Sequence, residues 1–199
     1  MTPTISLFFL LSGSGLELPS LGTVRSEAGW RELFGFRGNF LWAEVPAANQ
    51  APFSAWNANR QERFLWDGSA LTIRRQGSER TAALVGVRGE PAGIGYRDGR
   101  LLVLTREAQG TLWTFDAATL EPSGSEPAWI GSGPAAIDSH GTIWTAEHTQ
   151  VRCQGERWDA GSRIAALEAM DDGWMIVRTP RVWFIARAGD PVLYLLPNP

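Results

Sequence analysis

The feature of this sequence that most restricts its fold is a tight, glycine-containing turn that leads into a strongly apolar strand and recurs five times. It stands in residues 33–42, 64–71, 94–103, 136–144 and 169–176, with Gly38, Gly68, Gly99, Gly141 and Gly173 as its phase markers. The intervals between markers are 30, 31, 42 and 32 residues. A period of this length suits a compact β-repeat such as a propeller blade. Asp-Gly at Asp67-Gly68, Asp98-Gly99 and Asp172-Gly173 supplies the positive dihedrals of a two-residue hairpin. Gly has no Cβ to clash there, and Asp tolerates that region.

The rest of the chain reads the same way. Runs rich in Leu, Ile, Val, Phe and Trp, such as Leu101 to Thr105, Thr142 to Ala146 and Val192 to Leu196, are bounded by Gly, Asp, Asn and Pro, the mark of a strand meander. Ser162 to Met170 is the best helix candidate and is short. Residues 43–63 and 121–135 read as long loops, and Ile5 to Leu11 reads as a strand rather than a leader, because no Lys or Arg precedes it. The 199 residues are expected to form one all-β domain, residues 1–199. The architecture expected is a small β-propeller, or propeller-like repeated antiparallel hairpins, of about five blades.

Ile137-Asp138-Ser139-His140-Gly141-Thr142-Ile143-Trp144-Thr145 resembles the D-x-x-G-x-I/L-W hairpin of propeller repeats of the NHL, gluconolactonase-like and two-component-regulator types. Residues 98–103 and 172–177 resemble looser copies. The resemblance implies a propeller. Its gluconolactonase branch would imply calcium held by acidic and Asn side chains on the propeller axis, and no matching ligand set stands in this sequence. About five blades can close into a ring, or form an open arc completed by another copy or another protein, since an unpaired blade edge invites strand addition.

Charge and composition restrict the function. The 18 cationic side chains are all Arg, and the net charge of −3 gives no general attraction to phosphate backbones, so nucleic acid is not an expected partner. No run reaches the ~20 apolar residues of a transmembrane helix, and a cytoplasmic location is expected. The lone Cys153 excludes an internal disulfide and reads as a small buried hydrophobe. Ten Trp are spread evenly along the chain, as a recurring structural position would place them. Trp56, Trp129 and Trp158 sit in or beside polar loops and are the candidate interaction surface.

Catalytic sets are harder to assemble. His140, His148, Glu147 and Cys153 match no closed zinc spacing. A Ser139–His148–Asp triad lacks a nucleophile elbow. Asp67, Asp98, Asp138 and Asp172 recur at turns, where backbone geometry already explains them. Gly131-Ser132-Gly133 lacks the Lys of a phosphate loop. We therefore expect no catalytic, cofactor or metal residues. The leading expectation is a non-catalytic protein-interaction or scaffold module, partnered by another protein or by itself. Carbohydrate or small-ligand binding through exposed Trp, and a small propeller hydrolase or lyase, are the alternatives.

Overall fold

Nineteen strands among the described residues account for the repeat. The computed structural model describes residues 18–26, 29–36, 38–44, 51–57, 61–107 and 109–197, so Ile5 to Leu11 lies outside the described residues. Within them the strands form five separate antiparallel sheets, the blades of a five-bladed β-propeller. Blade 1 holds β1 (Ser20–Ser26), β2 (Gly29–Phe36) and β3 (Asn39–Glu44). Blade 2 holds β4 (Phe53–Asn57), β5 (Glu62–Trp66), β6 (Ala70–Arg75) and β7 (Ser78–Ala83). Blade 3 holds β8 (Glu90–Arg97), β9 (Arg100–Arg106), β10 (Thr111–Asp116) and β11 (Pro122–Pro127). Blade 4 holds β12 (Ala135–Ile137), β13 (Ile143–Glu147), β14 (Gln150–Cys153) and β15 (Glu156–Asp159). Blade 5 holds β16 (Ala166–Ala169), β17 (Trp174–Arg178), β18 (Trp183–Arg187) and β19 (Tyr194–Leu195). Each blade is an up-and-down meander of neighbouring strands.

The five glycine markers fall one to a blade, yet not at equivalent turns. Gly99, Gly141 and Gly173 precede the second strand of blades 3, 4 and 5, whereas Gly68 precedes the third strand of blade 2 and Gly38 stands between β2 and β3. Every hairpin of a blade has the same need for positive dihedrals, so turn chemistry alone does not reveal which hairpin it marks. Asp98 and Gly99 (φ 51° and 78°) form the expected two-residue turn. Asp172 and Gly173 (φ 57° and 73°) keep those dihedrals within a 3-10 turn, Asp171–Gly173. Asp67 is different, since its carboxylate accepts from the amides of Ser69 and Ala70 and from the Ser69 hydroxyl, closing a longer turn by side-chain capping.

Three expectations are corrected. The stretch Ser162 to Met170 is no helix: Ala166–Ala169 pairs with β17 as strand β16. Ile164, Leu167 and Met170 are its buried side chains, a spacing of three that imitates a helix face while inter-blade packing holds the segment extended. The two long loops contain strands as well, β4 within 43–63 and β11 within 121–135. β11, Pro-Ser-Gly-Ser-Glu-Pro, carries no apolar signal, and β4, Phe-Ser-Ala-Trp-Asn, is a short strand whose two aromatics stand in a stretch rich in Ala, Pro and Asn.

The core lies between the blades. One apolar cluster joins blades 2 and 3 around Phe64, Trp66, Ile94 and Phe115. Another joins blades 3 and 4 around Leu104, Ile130 and Ile137. A third joins blades 4 and 5 around Trp144, Trp158 and Met175, and a fourth joins blades 5 and 1 around Leu21, Leu33, Met170 and Ile176. Among the described residues no such cluster joins blades 1 and 2. Close approach of β8 to β12 depends on Gly95, where a Cβ would collide with the carbonyl oxygen of Asp138. The Tyr96 amide donates to the Ser139 carbonyl at 2.9 Å beside it.

Candidate functional site

The first strands of blades 2 to 5 face the propeller axis and share one direction. Residues at the starts of β4, β8, β12 and β16, among them Phe53, Pro91, Ala135 and Ala166, line one cavity of about 870 Å³. We call this the lower face. Residues at or just beyond the ends of β4, β12 and β16, namely Trp56, Ser139, His140, Asp171 and Asp172, line a second cavity of about 860 Å³ at the upper face, with Pro19, Ser20, Leu21, Glu32, Arg63, Trp174 and Arg187. Both have the size of a ligand cleft.

The upper cleft carries the denser chemistry. Arg63 is the cross-strand partner of Trp56, so both side chains lie on one face of blade 2. Arg63 Nη2 donates to Asp171 Oδ2 of blade 5, 108 residues away in the chain. Asp171 is 8% exposed; burial pushes its carboxyl up, and the Arg63 guanidinium opposes that shift. Asp171 Oδ1 and Arg63 Nε are buried with no hydrogen-bond partner. A carboxylate oxygen desolvated in this way is costly to leave unpaired. Nearer the solvent, Arg187 Nη2 meets Asp172 Oδ2 at 3.0 Å, and His140 Nε2 stands 3.8 Å from Asp172 Oδ1. The Arg187 guanidinium also lies over the Trp174 ring, 5.6 Å from its centroid. The cleft thus offers a half-exposed indole, paired cations and carboxylates, and one buried acceptor with spare capacity.

The candidate Trp residues do not come together. Trp56, 38% exposed, lines the upper cleft, and Trp129, 75% exposed, stands in the connection between β11 and β12 and lines neither cavity. Trp158 is 4% exposed, which corrects its place on an interaction surface: it stacks on Trp144 with centroids 5.1 Å apart and donates to the Asp190 carbonyl at 3.0 Å. Its polar flanks, Arg157 and Asp159, belong to an edge strand whose alternate residue points inward.

The catalytic candidates are dispersed too. His140 lines the upper cleft and His148 the lower one, while Cys153 is buried between blades 4 and 5, where burial pushes its thiol up to about 12. Among the described residues no three His, Cys, Asp or Glu side chains gather closely enough to hold a metal ion. Asp138 is buried and accepts from the amides of His140 and Thr142 and from Trp144 Nε1, each at 2.9 Å. Burial raises its carboxyl and those three donors oppose the shift, so the Asp of the D-x-x-G-x-I-W hairpin closes its own turn and anchors the following Trp. Gly131-Ser132-Gly133 joins β11 to β12, and its last two residues line the lower cavity. Sequence reasoning missed Arg63 and Asp171. Arg63 stood inside an apolar strand, and Asp171 beside a turn-forming Asp-Gly, so neither signalled a site.

No family model matches the chain, and no curated protein matches it. Among solved structures it is similar to the WD40 β-propeller domain of Doa1, with 12% identity, a TM-score of 0.39, and coverage of 90% of this chain and 68% of that one. It is also similar to the C-terminal WD40 domain of Sif2 (13%, 0.39, 87% and 56%) and to BamB from Moraxella catarrhalis (10%, 0.36, 89% and 66%). The chain spans between 56% and 68% of the lengths of these three. No described helix is long and apolar enough to cross a membrane. Five antiparallel blades around an axis make the chain a five-bladed β-propeller.

Proposed function

We propose that this chain is a non-catalytic protein-interaction module, a scaffold subunit of a larger assembly, which takes a segment of its partner at the upper cleft. The observation that carries this reading is the pairing of Trp56 with Arg63 over a buried Asp171 oxygen that accepts no hydrogen bond. A peptide segment has the complementary chemistry. An apolar or planar side chain covers the Trp56 indole, and a main-chain or side-chain N–H reaches Asp171 Oδ1. Asp172 and Arg187 pair with each other at the rim, Glu32 accepts from the Ser20 hydroxyl, and these groups act as its polar border.

The test is selection of peptides from a displayed library on the purified chain, followed by titration of the selected peptides against variants. Trp56→Ala is expected to weaken binding at least ~10-fold, about 1.4 kcal/mol. Trp129→Ala, in the connection between β11 and β12 and away from the cleft lining, is expected to leave it unchanged. Binding that depends on Trp129 and not on Trp56 moves the surface away from the cleft. Failure to select any peptide, together with Trp56-dependent binding on a glycan array, replaces the protein partner with a carbohydrate.

A further inference from the structure

The upper cleft does not end at Trp56. Trp56 and Arg63 also line a neighbouring cavity of about 540 Å³, with Gln61, Arg74, Arg75, Gln76 and Glu79. The strand register explains this continuity. Trp56 of β4 stands opposite Arg63 of β5, Arg63 opposite Arg74 of β6, and Arg74 opposite Glu79 of β7, so the four side chains form one row across blade 2 on a single face. The alternate row, Ala55, Phe64 and Ile73, packs in the cluster shared with blade 3, which puts the first row on the other face. With strands about 4.8 Å apart, that row runs ~14 Å from the axial strand to the outer edge of the blade, the reach of about four residues of extended chain.

Charge changes sign along this path. With Arg63, common to both cavities, set aside, the axial part holds Glu32, Asp171 and Asp172 against Arg187 and His140, whereas the outer part holds Arg74 and Arg75 against Glu79. Negative charge is crowded at the axial end: after burial, the charges of Glu32 and Asp172 also push the Asp171 carboxyl up. Asp171 Oδ1 accepts no hydrogen bond there. At the outer end Arg74 is held by Glu79 at 2.6 Å, while Arg75 is exposed and stands 3.8 Å from the Glu62 carboxylate.

Building on the peptide-binding reading of the upper cleft, we propose that the cleft and this row form one groove for a bipolar partner segment. An Arg or Lys side chain of the segment sits at the axis, and an Asp or Glu side chain lies about four residues away over the outer part of blade 2. The basic side chain rests against the Trp56 indole and gives Asp171 Oδ1 a charge-assisted hydrogen bond. The acidic side chain meets Arg75.

Selection of displayed random octapeptides on the purified full chain tests this assignment. Selected sequences are expected to combine a basic residue with an acidic one about four positions away. A selected peptide, labelled and titrated by fluorescence anisotropy, is expected to lose at least ~10-fold in affinity when its basic residue becomes Ala, and to bind Arg75→Glu about 5-fold more weakly than the wild type. Replacing the acidic residue of the peptide by Lys is expected to restore binding to Arg75→Glu and to weaken binding to the wild type, a reciprocity that misfolding of the variant does not produce. Trp56-dependent peptides that need no basic residue overturn the bipolar assignment and leave the peptide-binding reading intact. So do peptides whose affinity is unchanged by Arg75→Glu, which confine the site to the axial cleft. Failure to select any peptide overturns both readings. Self-association that light scattering detects and Trp56→Ala abolishes gives the groove to a second copy and overturns the bipolar segment as well.

Discussion

The junction between blades 4 and 5 and the junction between blades 1 and 2 are opposites. In the first, Trp144 and Trp158 stack, Cys153, Val151, Leu167, Met175 and Val177 fill the space around them, and the Trp nitrogens are bonded to Asp138 and to the Asp190 carbonyl. In the second no described apolar cluster forms, and the cross-channel link is the ion pair of Arg63 with Asp171, between blades 2 and 5. Burial of apolar area stabilises in proportion to the area removed from water. A desolvated ion pair stabilises little in net terms, yet is costly to break on one side. Among the described residues, apolar clusters join four of the five neighbouring pairs of blades, and Asp171 Oδ1 and Arg63 Nε, buried without a hydrogen-bond partner, belong to residues that line the upper cleft.

The contrast can be broken most severely at Trp144. Trp144→Ala removes a fully buried side chain together with the donor to Asp138, and is expected to cost about 3–5 kcal/mol. Urea denaturation measures the loss, and Cys153 supplies a second readout. Its raised pKa and burial keep it inert to thiol reagents in the native chain, and the substitution is expected to open it to labelling. A loss below ~1 kcal/mol would show that the packed junction is not what holds the ring.

A smaller effect is expected from the polar side. Arg63→Ala leaves the Asp171 carboxylate buried without its cation, and should cost about 3 kcal/mol, the lower end for buried pairs, because the Arg63 side chain keeps 23% exposure. The double variant Arg63→Ala/Asp171→Asn is expected to recover part of that loss in the same denaturation experiment. No recovery would mean that Arg63 acts through its packing.

The smallest effect sharpens the comparison by pH. The carboxyls of Asp138, Glu168 and Asp171 are all raised, burial being the first cause in each. The folded chain therefore keeps these protons to higher pH than the unfolded chain does. Their contribution to stability is greatest below the unfolded value of about 4 and declines as pH rises through the folded pKa. Asp171→Asn removes one share of that decline, so the thermal midpoint of the wild type relative to the variant is expected to fall as pH is raised from about 4 to about 7. A relative midpoint that rises over that interval would show the Arg63 attraction outweighing burial.

Much of the propeller was legible in the residues. Five turn-and-strand units gave five blades, because positive-φ turns and apolar strands are local demands that any hairpin imposes on its own sequence. Blade phase was not legible: Gly38, Gly68 and Gly99 look alike in sequence while marking different hairpins. Trp158 illustrates a second limit, since its charged neighbours describe the outer face of β15 and its own side chain points the other way. Half of the cleft was visible in Trp56 and half was not.

What the chain by itself determined is the alternation of strands, the place of each tight turn, the absence of any internal disulfide, and the role of Asp138 as the acceptor that closes its own hairpin. These depend on residues within a few positions of one another. Only the tertiary structure decided that Arg63 meets Asp171 across 108 residues, and that the described apolar clusters join blades 2 with 3, 3 with 4, 4 with 5 and 5 with 1. Those outcomes depend on how blades are arranged around a closed ring, and ring geometry brings together residues whose separation in sequence carries no signal of their meeting.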